Sequence, residues 1–180
     1  MYQLIKLISI IMILFLFFLL MVGFVSTSYT SISCSEVIKS PTTVVWRTLI
    51  DHEKMPDWFG DIASAQIRGN SPLTKGSILR NYISANKPGM YYDVEITDFV
   101  PEKHLSFFEI GSKNKRLLRN YKSNFELKSL LDGTTEITYR VSYITSSFLT
   151  RIFNRLYLKK QIENKCIERL RKLKQGIEKV

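Results

Sequence analysis

Over its last hundred residues the chain changes its hydrophobic period once, from two to 3.6, and that switch limits what it can fold into. Met90, Tyr92, Val94 and Ile96 alternate with Tyr91, Asp93, Glu95 and Thr97. Tyr121, Phe125 and Leu127 face one way while Lys122, Asn124, Glu126 and Lys128 face the other. Ile137, Tyr139, Val141 and Tyr143 alternate with Glu136, Thr138, Arg140 and Ser142. Such alternation marks antiparallel strands with one covered and one wet face. From about Ser147 the period becomes helical, with Ile162, Cys166, Leu170, Leu173 and Ile177 on one face and Leu149, Ile152 and Leu156 extending it backwards. Roughly 30 residues at 1.5 Å rise predict a helix about 45 Å long. A one-faced sheet and a one-striped helix each need a cover, and the simplest solution is to cover one another.

The elements ahead of this pair read in order. Ile32 to Ile38 suits a first strand. Ser40 and Pro41 read as an N-cap and first helical residue. Val44, Val45, Thr48 and Leu49 then recur at helical spacing, and Asp51 and His52 close that helix. Lys54 to Gly60 reads as a second short helix. Six strands follow, with Gly76 opening one that runs through Ser84 and Leu105 to Ile110 supplying another. Lys87-Pro88-Gly89, Lys113-Asn114 and Asp132-Gly133 carry turn chemistry. The expected inward set is rich in aromatics: Tyr82, Tyr92, Phe107 or Phe108, Tyr121, Phe125, Tyr139 and Tyr143. Buried tyrosine hydroxyls need partners, so this set suits a semi-polar cavity or a core whose tyrosines reach its rim.

The N-terminus is of another kind. Leu7 to Val25 is an apolar run of nineteen residues without a charge. It would make roughly 28 Å of helix, close to the hydrocarbon thickness of a bilayer. Signal-peptide cores run about 7–15 residues, so this one is long, although Ser26 and Ser28 stand at the spacing of a cleavage site before Tyr29. It reads as an uncleaved anchor. Lys6 precedes it and no Lys or Arg falls between Ser26 and Ser35, so the positive-inside rule puts the remaining domain outside the cytoplasm. The expected division is an anchor at 1–26, a linker at 27–34 and one domain at 35–180.

Charge and reactive residues narrow the function. The formal charge is +10, and residues 151–180 alone carry ten Lys or Arg against three Glu. Such a segment can meet nucleic acid or anionic lipid, or be a solvated face. The aromatics fall on the inward alternation and not beside the basic face, so there is no stacking platform for bases, and nucleic acid is not an expected partner. Cys34, Cys166, His52 and His104 have no metal-ligand or nucleophile spacing; no metal, cofactor or catalytic residue is assigned.

Ser40-Pro41-Thr42-Thr43-Val44-Val45-Trp46, then Leu49-Ile50-Asp51 and Met55-Pro56-Asp57-Trp58, resembles the opening of the SRPBCC, or START-like, superfamily. It looks most like the polyketide cyclase/dehydrase and lipid-transport branch. Pro72 with Gly76, Tyr92 to Pro101, Gly133 to Ile137, and Leu170 to Lys174 with Glu178 match later stretches, so the resemblance covers about residues 35 to 179. It implies an α+β helix-grip fold, a curved antiparallel sheet of about seven strands around the long C-terminal helix. It also implies a deep hydrophobic cavity, in which members bind lipids, quinones, sterols or polyketides and a minority act as cyclases or aromatases. The Trp46 and Asp51 positions are typical of the family and read as packing and capping residues.

The expected function is therefore a membrane-tethered, non-catalytic binder of a hydrophobic small molecule or lipid. Trp58, Tyr82, Tyr92, Phe107, Phe125, Tyr139, Tyr143 and Leu156 are the expected lining, with Arg151 and Arg155 at the entrance. The alternative is a cyclase or aromatase-type enzyme in the same cavity, with Glu109, Arg80, His104 and the tyrosines as acid/base candidates.

Overall fold

The computed structural model describes residues 2–25, 27–69, 72–83, 89–112 and 118–179. Helix α1 (Tyr2–Val25) is followed by strand β1 (Tyr29–Ile38) and helices α2 (Thr42–Ile50) and α3 (Met55–Phe59). Strands β2 (Ser64–Arg68), β3 (Ile78–Tyr82), β4 (Tyr91–Val100), β5 (His104–Ser112), β6 (Leu118–Ser129) and β7 (Thr135–Thr145) come next. The chain ends in a continuous helix: α4 (Phe148–Phe153), a π turn (Asn154–Leu158) and α5 (Lys159–Glu178).

The seven strands form one antiparallel sheet in the order β1-β7-β6-β5-β4-β3-β2. Strands β2 to β7 are consecutive neighbours, and β1 closes the far edge against β7, with Cys34 opposite Tyr139. Register shifts between Asp93 and Val94 and between Ile96 and Asp98 bend β4 against β5. Such irregularities increase local twist and curve the sheet into a cup. On β7 the alternation read from sequence holds throughout: Ile137, Tyr139, Val141 and Tyr143 are fully buried.

Helix α5 lies in the cup with Cys166, Leu170, Leu173 and Ile177 buried. Helix α2 covers one end through Val45, Trp46 and Leu49, and the Trp46 ring meets Phe99 edge-on at 5.2 Å. The backbone between α2 and α3 is turned by Asp51, whose Oδ1 accepts from the Glu53 and Lys54 amides. Helix α3 stops at Gly60, where φ is +80° and its N–H bonds the Pro56 carbonyl. A left-handed residue there satisfies an end carbonyl at no Cβ cost.

Several expectations need correction. Ser40 does not cap α2; Pro41 occupies that position, and the Ser40 carbonyl instead accepts from Thr135 Oγ1 at 2.7 Å. Strand β1 reaches back to Tyr29, so it takes up most of the segment read as a linker. Tyr82 points away from the cup: Leu79 and Asn81 are the buried residues of β3, and Tyr82 pairs with Tyr91 on the outer face. Ile152 is buried as the stripe expects, but Leu149 and Leu156 are 76% and 57% exposed and Asn154 is buried instead. The π turn accounts for Leu156, which lies within it and falls off an α-helical stripe extrapolated backwards from α5. Of the expected turns, Asp132-Gly133 is present, with Asp132 Oδ1 accepting from the Thr134 amide. Lys87-Pro88 and Lys113-Asn114, like Ser26 and Ser84, lie outside the described residues.

Helix α1 is long and apolar enough to cross a membrane. From Tyr2 to Phe24 all but Leu19, Val22 and Gly23 are exposed, so it is not a core helix of the domain.

Candidate functional site

Between the cup and α5 lies a cavity of about 210 Å³. Its floor is the inner face of β3 to β6, with Asn81, Tyr92, Val94, Phe107, Tyr121 and Ser123. Met55 and Phe59 of α3 form one wall, Ile83 borders it, and Asp61, Lys165 and Arg169 close it from the helix side. The placement follows from period two: register sets Asn81 opposite Tyr92 and Phe107 opposite Ser123. Residues that pair directly across strands share a face.

Arg169 organises the polar end. It is only 6% exposed, yet charged. Its Nη2 donates to both Asp61 oxygens at 2.7 and 2.8 Å, Nη1 to Tyr139 Oη at 2.8 Å, and Nε to the Phe59 carbonyl at 3.1 Å. The guanidinium also stacks on the Phe59 ring, 3.8 Å from its centroid. Lys165 donates to the same Asp61 carboxylate at 3.1 Å. Burial opposes charge on Asp61, but the Arg169 charge and hydrogen bonds, with Lys165 behind them, hold its carboxyl below the usual range. Burial likewise opposes the Arg169 charge, and the neighbouring Tyr139, Tyr121 and Asp61 outweigh it and raise the guanidinium further. Burial pushes the Tyr121 phenol well up, reinforced by Tyr139. The cavity wall thus holds two cations sharing one carboxylate beside the neutral Tyr121 phenol.

One polar atom in the wall is unmatched. Asn81 is 3% exposed, and its Oδ1 has no partner among the described residues. A buried acceptor without a partner costs about 1–3 kcal/mol. The residue that carries it borders the hollow.

The expected lining residues separate into four groups. Tyr92 and Phe107 line the cavity. Phe125 and Tyr139 form a packed layer beneath it, their rings stacked at 4.3 Å, with Trp58 edge-on to Phe125 at 5.8 Å. Tyr143 is fully buried beside the π turn and donates to Asn154 Oδ1 at 2.7 Å. Tyr82 and Leu156 face outward, and Arg151 and Arg155 do not border the cavity. Of the acid/base candidates, Arg80 is on the outer face in an ion pair with Asp93 at 2.8 Å. His104 is there too, with Nδ1 2.9 Å from Asp98. Glu109 is opposite Val94 and so on the inner face, but outside the cavity wall.

Sequence reading missed Asn81, Asp61, Ser123, Lys165 and Arg169. A signal existed for Arg169, which falls within the apolar stripe at i+3 from Cys166 and i−4 from Leu173. A buried arginine at such a position implies a carboxylate partner. A larger depression of about 560 Å³ lies on the opposite face, against Glu102, His104, Glu126 and Arg140. Its charged lining offers an apolar molecule little.

A curved seven-stranded sheet gripping one long C-terminal helix defines the helix-grip class. The chain has the fold of the SRPBCC, or START-like, superfamily. The Zhui aromatase/cyclase from Streptomyces sp. R1128 is similar over 83% of this chain and 94% of its own, at 12% identity and TM-score 0.66. A protein from Thermus thermophilus is similar over 82% and 97%, at 13% identity and TM-score 0.65. Ginseng major latex-like protein 151 from Panax ginseng is similar over 84% and 99%, at 12% identity and TM-score 0.64. No protein-family model and no curated protein matches the chain. Identities this low establish the fold alone.

Proposed function

We propose that this chain is a membrane-tethered binding protein for a small hydrophobic molecule that carries one uncharged hydrogen-bond donor, such as a hydroxyl. The observation that carries the reading is a largely apolar cavity bordered by Asn81, a buried side chain whose acceptor is unmatched among the described residues. Mostly apolar walls with a few convergent polar groups are the usual make-up of a small-molecule site. At about 210 Å³ the cavity is below the roughly 300–1,000 Å³ of drug-sized pockets, which favours a ligand of one or two rings or a short chain. Arg169 and Lys165 share the single Asp61 carboxylate, so the wall is net positive and disfavours a cationic donor, which leaves an uncharged one.

The tether is α1, and Lys6 ahead of it favours a domain outside the cytoplasm. A membrane-impermeant maleimide applied to intact cells should label a Leu131→Cys variant, since Leu131 is fully exposed. Cyclase or aromatase chemistry would need an acid and a base poised near neutral pH. Asp61 held ionised and Arg169 held protonated speak for binding over proton transfer.

The test uses the full chain in mild detergent. Native mass spectrometry should show a copurifying small molecule. Titration with 2-naphthol should show saturable binding, weaker for naphthalene, and Val94→Trp, which fills the cavity, should abolish it. Equal uptake of both probes by the wild-type chain and Val94→Trp would remove the cavity from the account.

A further inference from the structure

The most exposed apolar surface of the domain lies at the start of its long helix, away from the cavity. Helix α4 and the π turn bury Thr150, Ile152 and Asn154 and turn Leu149, Phe153, Leu156 and Tyr157 to solvent. The Phe153 and Tyr157 rings stack at 5.4 Å. From Thr145 to Ile162 the chain carries Arg151, Arg155, Lys159 and Lys160 and no acidic residue. An apolar stripe flanked by basic side chains is the composition of a helix lying in a membrane interface. Beside the stripe runs a polar groove of about 540 Å³, formed by Thr27, Tyr29, Ser31, Arg155 and Lys159 among others.

Two observations indicate what covers this face. The first is continuity. Helix α1 ends on α4, where Gly23 lies against the Phe148 ring and the Phe24 ring meets it edge-on at 6.0 Å. A bilayer crossed by α1 therefore ends where the stripe begins. The second is charge. The Lys159 and Arg155 side chains at the groove have no carboxylate within their own segment, and Ser31 adds a hydroxyl suited to a phosphate oxygen.

We propose that the segment from Phe148 to Lys160 lies in the membrane interface, with the phosphate headgroup of an anionic lipid in the groove at Arg155 and Lys159. The inference rests on the reading of α1 as a bilayer-crossing helix. The domain is then held to the membrane at two places, which fixes its tilt as well as its distance.

The test is made on the full chain reconstituted into phosphatidylcholine vesicles with and without phosphatidylglycerol. Leu156→Trp and Leu131→Trp place a reporter on the stripe and on the β6–β7 turn. Thr145 at the far end of β7 bonds Ser28, and an 11-residue strand separates that end from the turn by roughly 35 Å. Trp46 and Trp58 are buried and give a constant background. With acyl-chain-brominated lipid, Leu156→Trp should be quenched at least twofold more than Leu131→Trp. Phosphatidylglycerol should raise that quenching, and Arg155→Gln with Lys159→Gln should remove the increment. An integrated chain with equal quenching at both positions overturns the surface while leaving the anchor standing. A chain that urea washing strips from the vesicles overturns the anchor and the surface together. An increment untouched by the double substitution overturns the headgroup groove.

Discussion

The two flanks of α5 pack against the same sheet and end differently. On the flank toward β1, β7 and α2, Ile38, Val45, Leu49, Ile137, Leu170 and Leu173 are at most 2% exposed and the core is dry. On the flank toward β3 to β6, the helix presents Lys165 and Arg169, the sheet answers with Asn81, Tyr92, Tyr121 and Ser123, and a hollow remains. The cup is continuous, so sheet curvature does not decide which flank fills. Side-chain chemistry on the helix does. Leucine interdigitates with an apolar sheet face to close-packed density. Arginine needs Asp61, Tyr139 Oη and the Phe59 carbonyl, and those partners hold it at the wall of the space.

The contrast predicts stability losses on one flank and binding losses on the other. The largest expected effect is Leu173→Ala, which should cost about 3 kcal/mol in denaturant unfolding and leave 2-naphthol affinity unchanged. A comparable loss of affinity would mean the flanks are not separable. Next is Asp61→Asn. It leaves a buried guanidinium without its counter-charge, a change worth ~3–5 kcal/mol for a fully buried pair. Asp61 is 39% exposed, so solvent screening reduces the expected loss to about 2 kcal/mol. The same pair has a pH signature. The Asp61 carboxyl is lowered from 3.8, so its contribution is fully present above that value and disappears as pH falls through the lowered folded value. Wild-type stability should fall more steeply than that of Asp61→Asn in that acid range.

Asn81→Leu should behave in the opposite way. Removing an unmatched buried acceptor should raise stability by about 1 kcal/mol, while 2-naphthol binding should weaken roughly fivefold toward that of naphthalene. The smallest effect is on a thiol. Burial, with the neighbouring Cys34 thiol adding to it, raises the Cys166 thiol well above its ordinary range. The thiolate is the reactive form, so Cys166 should resist iodoacetamide in the folded chain and react after unfolding. Rapid modification in the native state would show the filled flank to be loosely packed.

Much of the filled flank could be read from sequence, and much of the hollow could not. The β7 alternation and the Cys166, Leu170, Leu173, Ile177 stripe identify their buried sides because every member is apolar or aromatic. In β3 the buried partners are Leu79 and Asn81, one apolar and one polar, and in so short a strand the size of Tyr82 argues misleadingly for an inward position. Arg169 reads as part of the basic face because periodicity gives weight to hydrophobicity, whereas this side chain is buried by satisfying its donors. Leu156 falls on the unexpected side for a different reason: a π turn adds a residue that no hydrophobic pattern announces. The fold depends on averages over many residues and survives such errors. The site depends on a few exceptions and does not.

The contact between Gly23 and Phe148 has a mechanical consequence. A Cβ at position 23 would overlap the tip of the Phe148 ring, so a side chain there would make the ring turn aside or α1 move off α4. The contact acts as a pivot placed near one end of a long lever. A wedge there would swing the whole cup about the anchor's exit point, and displacement would grow with distance from it. On the proposed reading of α1 as a tether, a substitution at this one glycine would change how the cavity is presented to the bilayer.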